Sequence, residues 1–349
     1  MQIHITIAVL MLGVTASASA QWPAPDSTTP RLSHAVGYFD PFARRVVIVG
    51  DSAQPRAPAR HGVWSWSGAR WERVTDSGPP ARTNAAAAFD RQRNVAVVTG
   101  GIRQRRDTAV YESIAESWLG RATEWQPLAG TDMAPRDHHV MVFDASRGSV
   151  VLFGGTTYGT RGPWPADTWE LGASGWAPIA SDGPSARARS AMVYDSRRGE
   201  VVLFGGVGEA VDGVQTFQGD TWIWKAGRWR RAATNGPRGR YAHGMVFDER
   251  VGVVLMYSGA GAHRGAPLSD MWQWDGARWT EIPLSAPTPG FRYQPVMVYD
   301  AARQRTLLYG GYGASGSLYD TWEWDGARWS RVNPQTPPRS TGAGLIEAR

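Results

Sequence analysis

The sequence predicts an all-β chain folded as a six-bladed β-propeller with four antiparallel strands per blade, and three observations carry that prediction. First, "DTWEWDGARW" at 320 to 329 has near copies in "DMWQWDGARW" at 270 to 279 and "DTWIWKAGRW" at 220 to 229, with fainter copies closing at Trp71, Trp125 and Trp176. The closing tryptophans Trp71, Trp125, Trp176, Trp229, Trp279 and Trp329 are separated by 54, 51, 53, 50 and 50 residues, a period typical of radial or stacked repeats. Second, every period reads as four short strands punctuated by turn residues. Third, of the 18 tryptophans only Trp22 and Trp164 fall outside repeat positions.

Taken in chain order, the first element is a leader. Residues 1 to 20 are an apolar stretch ending in Ala18, Ser19 and Ala20, the small-residue pattern of a signal-peptidase site. Cleavage after Ala20 is expected, giving a secreted or periplasmic protein, with an uncleaved membrane anchor as the alternative. No later run is apolar enough to span a bilayer. The repeat then divides 21–349 into units of approximately 31–79, 80–134, 135–183, 184–236, 237–288 and 289–337, with 338–349 as a candidate closing strand.

Unit three shows the internal order. It opens with Pro135 and Arg136, runs through "HHVMVFD" to Asp144, and turns at "DASRG", where Asp and Gly suit a short hairpin loop. "VVLFGG" at 150 to 155 reads as a buried strand ended by a glycine pair. A variable loop precedes "DTWEL", and a tight turn leads to the strand carrying Trp176. In the last unit that turn holds Asp325 and Gly326, the dipeptide favoured for two-residue type I′ hairpins. Alternation along "DTWEWDG" places Trp322 and Trp324 on one face of a strand. There each would bury roughly 150–250 Å² against the next blade, which favours core packing over a sugar-binding platform.

With "LFGG" at 152 to 155 and 203 to 206, "LYGG" at 308 to 311, an aromatic after each opening strand and the spaced closing tryptophan, the chain resembles the kelch repeat family over residues 31 to 332. The resemblance implies a propeller of radial four-stranded blades with the opening strand innermost. It also implies ring closure by strands from both termini, which removes exposed sheet edges. The tail "PPRSTGAGLIEAR" resembles an opening strand, and whether 338–347 replaces 31–40 or lies beside it stays open. Fold alone says little about chemistry.

Composition narrows the function classes. The chain has no cysteine, which excludes disulfides, thiol nucleophiles and thiolate metal sites. The net charge of +6 is carried almost wholly by arginine, Lys225 being the only lysine. The basic residues form no run interleaved with aromatics, so nucleic acid is not an expected partner. No cofactor and no metal are expected, and a monomer is.

Candidate binding residues come from positions the repeat repeats without an obvious folding reason. Eight residues before the Asp that ends each opening strand stand Arg82, Arg136, Arg187, Arg240 and Arg292, with Arg31 nine before Asp40. One reading makes each a bond inside the repeat. The other makes them a guanidinium ring at one channel mouth, an anion site, since kelch proteins that bind acidic peptides or sugar acids use arginines at this strand position. The long second-to-third-strand loops should open on the same face, where Tyr111, Tyr158, Arg161, Trp164, His263, Arg264 and Tyr312 are the side chains of interest.

Catalytic motifs are weak. Gly311, Gly313 and Gly316 match a GxGxxG spacing without the helix that would hold a phosphate. A galactose-oxidase-like copper site is disfavoured because that relative's redox tyrosine is crosslinked to a cysteine. "WDGARW" resembles the sialidase Asp box but lacks its spacing. His138 and His139 alternate faces on a strand and, with His34 and His243, recur near one repeat position, which suggests a structural role. Two functions remain: an exported binding module for an anionic small molecule, glycan or acidic peptide, and a periplasmic carbohydrate-active enzyme resembling the kelch-type sialic acid epimerases. For the enzyme, Glu112, Glu116, Asp137 and His263 are the acid–base candidates.

Overall fold

A computed structural model describes residues 30–332, apart from 53–60, 106–109, 122, 130–131, 159–162, 211, 213 and 262–265. Six sheets of four antiparallel strands form the blades, three two-stranded pairs stand beside them, and no helix occurs among the described residues. Blade 1 is Leu32–Asp40, Arg45–Ser52, His61–Trp66 and Trp71–Thr75. Blades 2 to 6 open with Ala86–Asp90, Val140–Asp144, Ala191–Asp195, Gly244–Asp248 and Val296–Asp300. Each opening strand packs beside the opening strands of its two neighbours, and that of blade 6 packs beside that of blade 1, so the ring is closed. Leu32–Asp40 therefore holds the innermost place in blade 1. The leader, the cleavage site and the tail 338–349 lie outside the described residues.

Second strands such as Ser149–Phe153 and Glu200–Phe204 are buried throughout, as sandwiched β-branched runs should be. Each closing tryptophan packs on the preceding blade. Trp176, Trp229, Trp279 and Trp71 donate their indole N–H to Ser117, Thr168, Thr221 and Thr321 of that blade at 2.8–2.9 Å. Trp229, Trp279, Trp329 and Trp71 also meet Phe153, Phe204, Tyr257 and Tyr309 at 5.1–5.4 Å. Trp125 and Trp329 leave their buried N–H unbonded, because the matching positions are Val63 and Met271, which have no hydroxyl.

One turn differs from expectation. The Asp325–Gly326 hairpin pairs Trp324 with Trp329, so its loop has four residues. Asp325 Oδ1 accepts the N–H groups of Ala327 and Arg328, which makes the aspartate a turn cap and not the centre of a type I′ turn. The two-residue loop with both φ positive occurs in blade 4, at Ala226 (φ 50°) and Gly227 (φ 77°).

Because strands alternate in direction, the first-to-second and third-to-fourth hairpins all lie at one end of the propeller. The entries to the opening strands and the long second-to-third-strand loops lie at the other, where Arg187–Ala188 pairs with Val207–Gly208 and Arg240–Tyr241 with Ala260–Gly261.

Candidate functional site

The five arginines at the strand entries are buried, none more than 6% exposed. Arg136, Arg187, Arg240 and Arg292 grip Asp167, Asp220, Asp270 and Asp320 with both terminal nitrogens. The first three aspartates directly precede the third strands, and Asp320 lies within the longer third strand of blade 6, Gly316–Trp324. In blade 2 Glu116 takes the aspartate's place beside Arg82 at 3.2 Å. A terminal nitrogen of each arginine also donates to a carbonyl of its own blade, as Arg240 does to Ser258 O at 3.1 Å. Burial alone would raise the carboxyls of Asp167, Asp220, Asp270 and Asp320. The arginine bond and charge outweigh it and hold all four below the ordinary value.

These guanidiniums thus tie the start of the inner strand to the start of the third strand within each blade, instead of standing open around a mouth. Arg31 is exposed, with its guanidinium 5.9 Å from the Tyr319 ring. The structural counterpart of the arginine in blade 1 is Leu32, eight before Asp40, and the counterpart of the aspartate is Gly62, two before Trp64. Blade 1 lacks both partners together.

What does face the axis lies two residues further along. His34, Asn84, His138, Arg189, Ala242 and Gln294 occupy equivalent places, all with φ between 48° and 57°. The left-handed backbone aims their amides around the ring. His138 N–H donates to Asn84 O, Arg189 N–H to His138 O, Ala242 N–H to Arg189 O and Gln294 N–H to Ala242 O, at 2.8–2.9 Å. The fold is satisfied by main chain alone, so the side chains at these places are free to vary. They converge: Gln294 Nε2 of blade 6 donates to Asn84 Oδ1 of blade 2 at 3.2 Å, reaching past blade 1. The His34 imidazole is pushed down to about 4 by desolvation, with the charges of His138 and Arg189 adding to the effect and Asp51 opposing it.

Arg189 stands in this ring without an ion pair among the described residues and remains open to solvent. Enclosure by the mouth lowers its pKa, opposed by Tyr241 and Asp137. Its guanidinium lies 5.9 Å from the Tyr241 ring, a cation–π distance. Tyr241 belongs to an aromatic row with Phe217 at 5.5 Å and Tyr293 at 6.1 Å.

On the other side His138 Nδ1 is 2.5 Å from Asp137 Oδ1. Asp137, 1% exposed, also accepts from the hydroxyls of Ser113 and Thr156 and from the Tyr158 N–H at 3.3 Å. Ser113 belongs to a ribbon, Ile102–Gln104 with Tyr111–Ser113, formed by blade 2's long loop. The carboxylate fixes the imidazole and leaves the buried Nε2 unbonded. Desolvation lowers the pKa of His138, with the Asp137 bond opposing, so Nε2 carries a lone pair at neutral pH.

The four histidines grouped by sequence fall into two classes. His34 and His138 face the axis, whereas His139 and His243, one place further on, are buried and pushed down to about 3 by desolvation, with a neighbouring arginine adding to the effect. Tyr312 hydroxyl meets His34 Nδ1 at 3.0 Å and so joins the ring. Tyr158 is exposed beside Asp137. Trp164 sits at the blade 3–4 border, its N–H on Glu209. Glu112 and Glu116 line a cleft of about 700 Å³ on blade 2 with Arg103 and Trp118, and Tyr111 is exposed on its ribbon. Arg161, His263 and Arg264 lie outside the described residues. Among the described residues no cluster of three or more His, Asp or Glu could hold a metal ion.

Sequence reasoning passed over Arg189 and its ring. The signal was present as a mostly polar column, varied in residue type, two places after the repeated arginine of blades 2 to 6.

No family model and no curated protein matches the chain. Among solved structures it is similar to one titled "Structure of YjhT", with a TM-score of 0.66 and 16% identity, covering 88% of this chain and 99% of that one. That likeness is one of fold.

Proposed function

We propose that the protein is an exported binding module that takes a small anionic ligand, such as a sugar acid, an acidic glycan or a peptide carboxylate, in the axial mouth. The observation that carries this reading is Arg189, a guanidinium open to solvent and without a carboxylate partner among the described residues, at a point where six blades converge. A partly desolvated cation of this kind attracts an anion more strongly than a fully hydrated one does. Asn84, Gln294 and the imidazole of His34 offer neutral hydrogen-bonding groups around it, and Tyr241 offers a flat face. Six non-glycine residues in left-handed backbone are also costly, and such strain concentrates at functional sites.

The test is calorimetric titration with sugar acids and acidic peptides against wild type and Arg189→Met. Binding that disappears in the variant while the unfolding midpoint stays put supports the reading. A ligand held equally by both proteins refutes it.

A second reading, a carbohydrate-active enzyme, has one observation behind it: the Asp137–His138 pair with its free Nε2. An oriented neutral imidazole beside a bound anion is equipped for proton transfer. Under this reading His138→Gln keeps ligand affinity and removes turnover.

A further inference from the structure

The hairpin end of the propeller carries exposed cations in two concentric sets. The inner hairpins present Arg44 and Arg91, and the outer hairpins Arg70, Arg121, Arg278 and Arg328. The side chains of Arg70, Arg278 and Arg328 are 68%, 81% and 76% exposed. Arg70 lies 3.4 Å from Glu72, and most other carboxylates nearby are committed to their own turns. Asp40, Asp90, Asp144, Asp195, Asp248 and Asp300 each accept a backbone N–H of their own turn. Asp275 and Asp325 do likewise, and their contacts to Arg278 and Arg328, at 3.5 and 3.7 Å, are solvent-screened.

Blades 2 and 5 stand opposite each other in a ring of six, yet Arg91 lies 3.7 Å from Glu249. These two side chains therefore bridge the axis at this end. Charge spread over an end bridged in this way suits a flat partner more than a small ion. Two large apolar side chains stand out from the same turns, Phe42 at 61% exposure and Val251 at 45%. A soluble polyanion gives such groups nothing to enter, whereas the boundary between headgroups and acyl chains does.

We propose that the hairpin end is a docking face for a membrane surface bearing anionic headgroups, with the arginines on lipid phosphates and Phe42 and Val251 entering the interface. Docked this way, the protein keeps its axial mouth turned away from the bilayer. The proposal is independent of any ligand at that mouth.

The test is co-sedimentation of the chain from Gln21 onward with vesicles of phosphatidylglycerol and phosphatidylcholine in equal parts, against phosphatidylcholine alone, at low and high salt. Wild type is compared with the triple variant Arg91→Gln, Arg278→Gln, Arg328→Gln and with Phe42→Ser, each without the apolar leader 1–20, which would bind vesicles by itself. Anionic vesicles should bind at least about tenfold better than neutral ones and lose that preference in high salt, and the triple variant should bind at least about tenfold more weakly. Phe42→Ser should weaken binding about threefold or more. Unchanged circular dichroism separates lost docking from lost folding. Equal binding to both vesicles, or an undiminished triple variant, overturns the proposal. Capture of soluble polyphosphate without vesicle binding reassigns the face to a polymer and overturns it as well.

Discussion

The two ends of this propeller use arginine in opposite ways. At the mouth end the repeated arginines are buried and bonded, as Arg240 is to Asp270 at 2.7 Å. At the hairpin end arginines such as Arg278 are largely exposed. The difference lies in what the neighbouring carboxylate is doing. Asp270 begins a strand, where its oxygens are free to meet a guanidinium two strands away. Asp300 or Asp325 begins a turn, where Oδ1 is taken by amides two and three residues on. The same pair of residue types thus makes a buried staple in one place and an exposed cation in the other, and the local backbone decides which.

Removing one arginine from each end should give the largest contrast. Arg240→Ala leaves Asp270 partly buried without its partner, and should cost about 3–5 kcal/mol of unfolding free energy. Arg278→Ala should stay within about 0.5 kcal/mol of wild type. Urea unfolding followed by tryptophan fluorescence measures both. Similar losses would mean that the ion pair does not staple its blade.

Acid should act chiefly at the mouth end, because the imidazoles pushed furthest down by burial lie there. His139 and His243 titrate at 6.5 ordinarily and near 3 in the folded chain. Since the folded value is the lower one, protons bind the unfolded chain first. Their contribution is complete above about pH 6.5 and is lost as pH falls toward 3. Asp167, Asp220 and Asp270 have folded values below 3.8. Their contribution is present above 3.8 and is lost only below it. A decline in urea midpoint between pH 6.5 and about 5, above the range where the carboxylates begin to protonate, therefore belongs to the histidines, and His243→Leu should reduce it. A midpoint constant across that range would show that the two imidazoles are not held neutral by burial.

Much of the fold was legible because it is written locally. Blade number and strand order follow from a 50-residue period, and even the unbonded indoles of Trp125 and Trp329 can be read from Val63 and Met271 standing where other repeats have a hydroxyl. The roles of the arginines were harder to read. Their partners lie 28 to 34 residues downstream, beyond loops of variable length, so the two halves of each staple look like unrelated motifs. The missing arginine and missing aspartate of blade 1, Leu32 and Gly62, are the one place where the linkage shows in the sequence. The axial ring was obscured for another reason. Its structural work is done by backbone amides, so its side chains vary from blade to blade, with only His34 and His138 alike.

That division of labour gives the smallest and most specific expected effect. Arg189 sits at φ 54°, a conformation that costs a non-glycine residue on the order of 1 kcal/mol. Its N–H and carbonyl, and not its side chain, join blades 3, 4 and 5. Arg189→Gly should therefore keep both ring bonds and release the strain, leaving stability equal to wild type or up to about 1 kcal/mol higher, after the greater freedom of an unfolded glycine is subtracted. Arg189→Ala keeps the strain and should fall below the glycine variant. If the side chain is there for a ligand, both variants lose acidic ligands to the same extent although their stabilities differ. Unfolding curves and calorimetry on the pair separate the two quantities. A glycine variant less stable than the alanine one would mean that the ring backbone is not strained, and the argument from strain to a site at the mouth would fall with it.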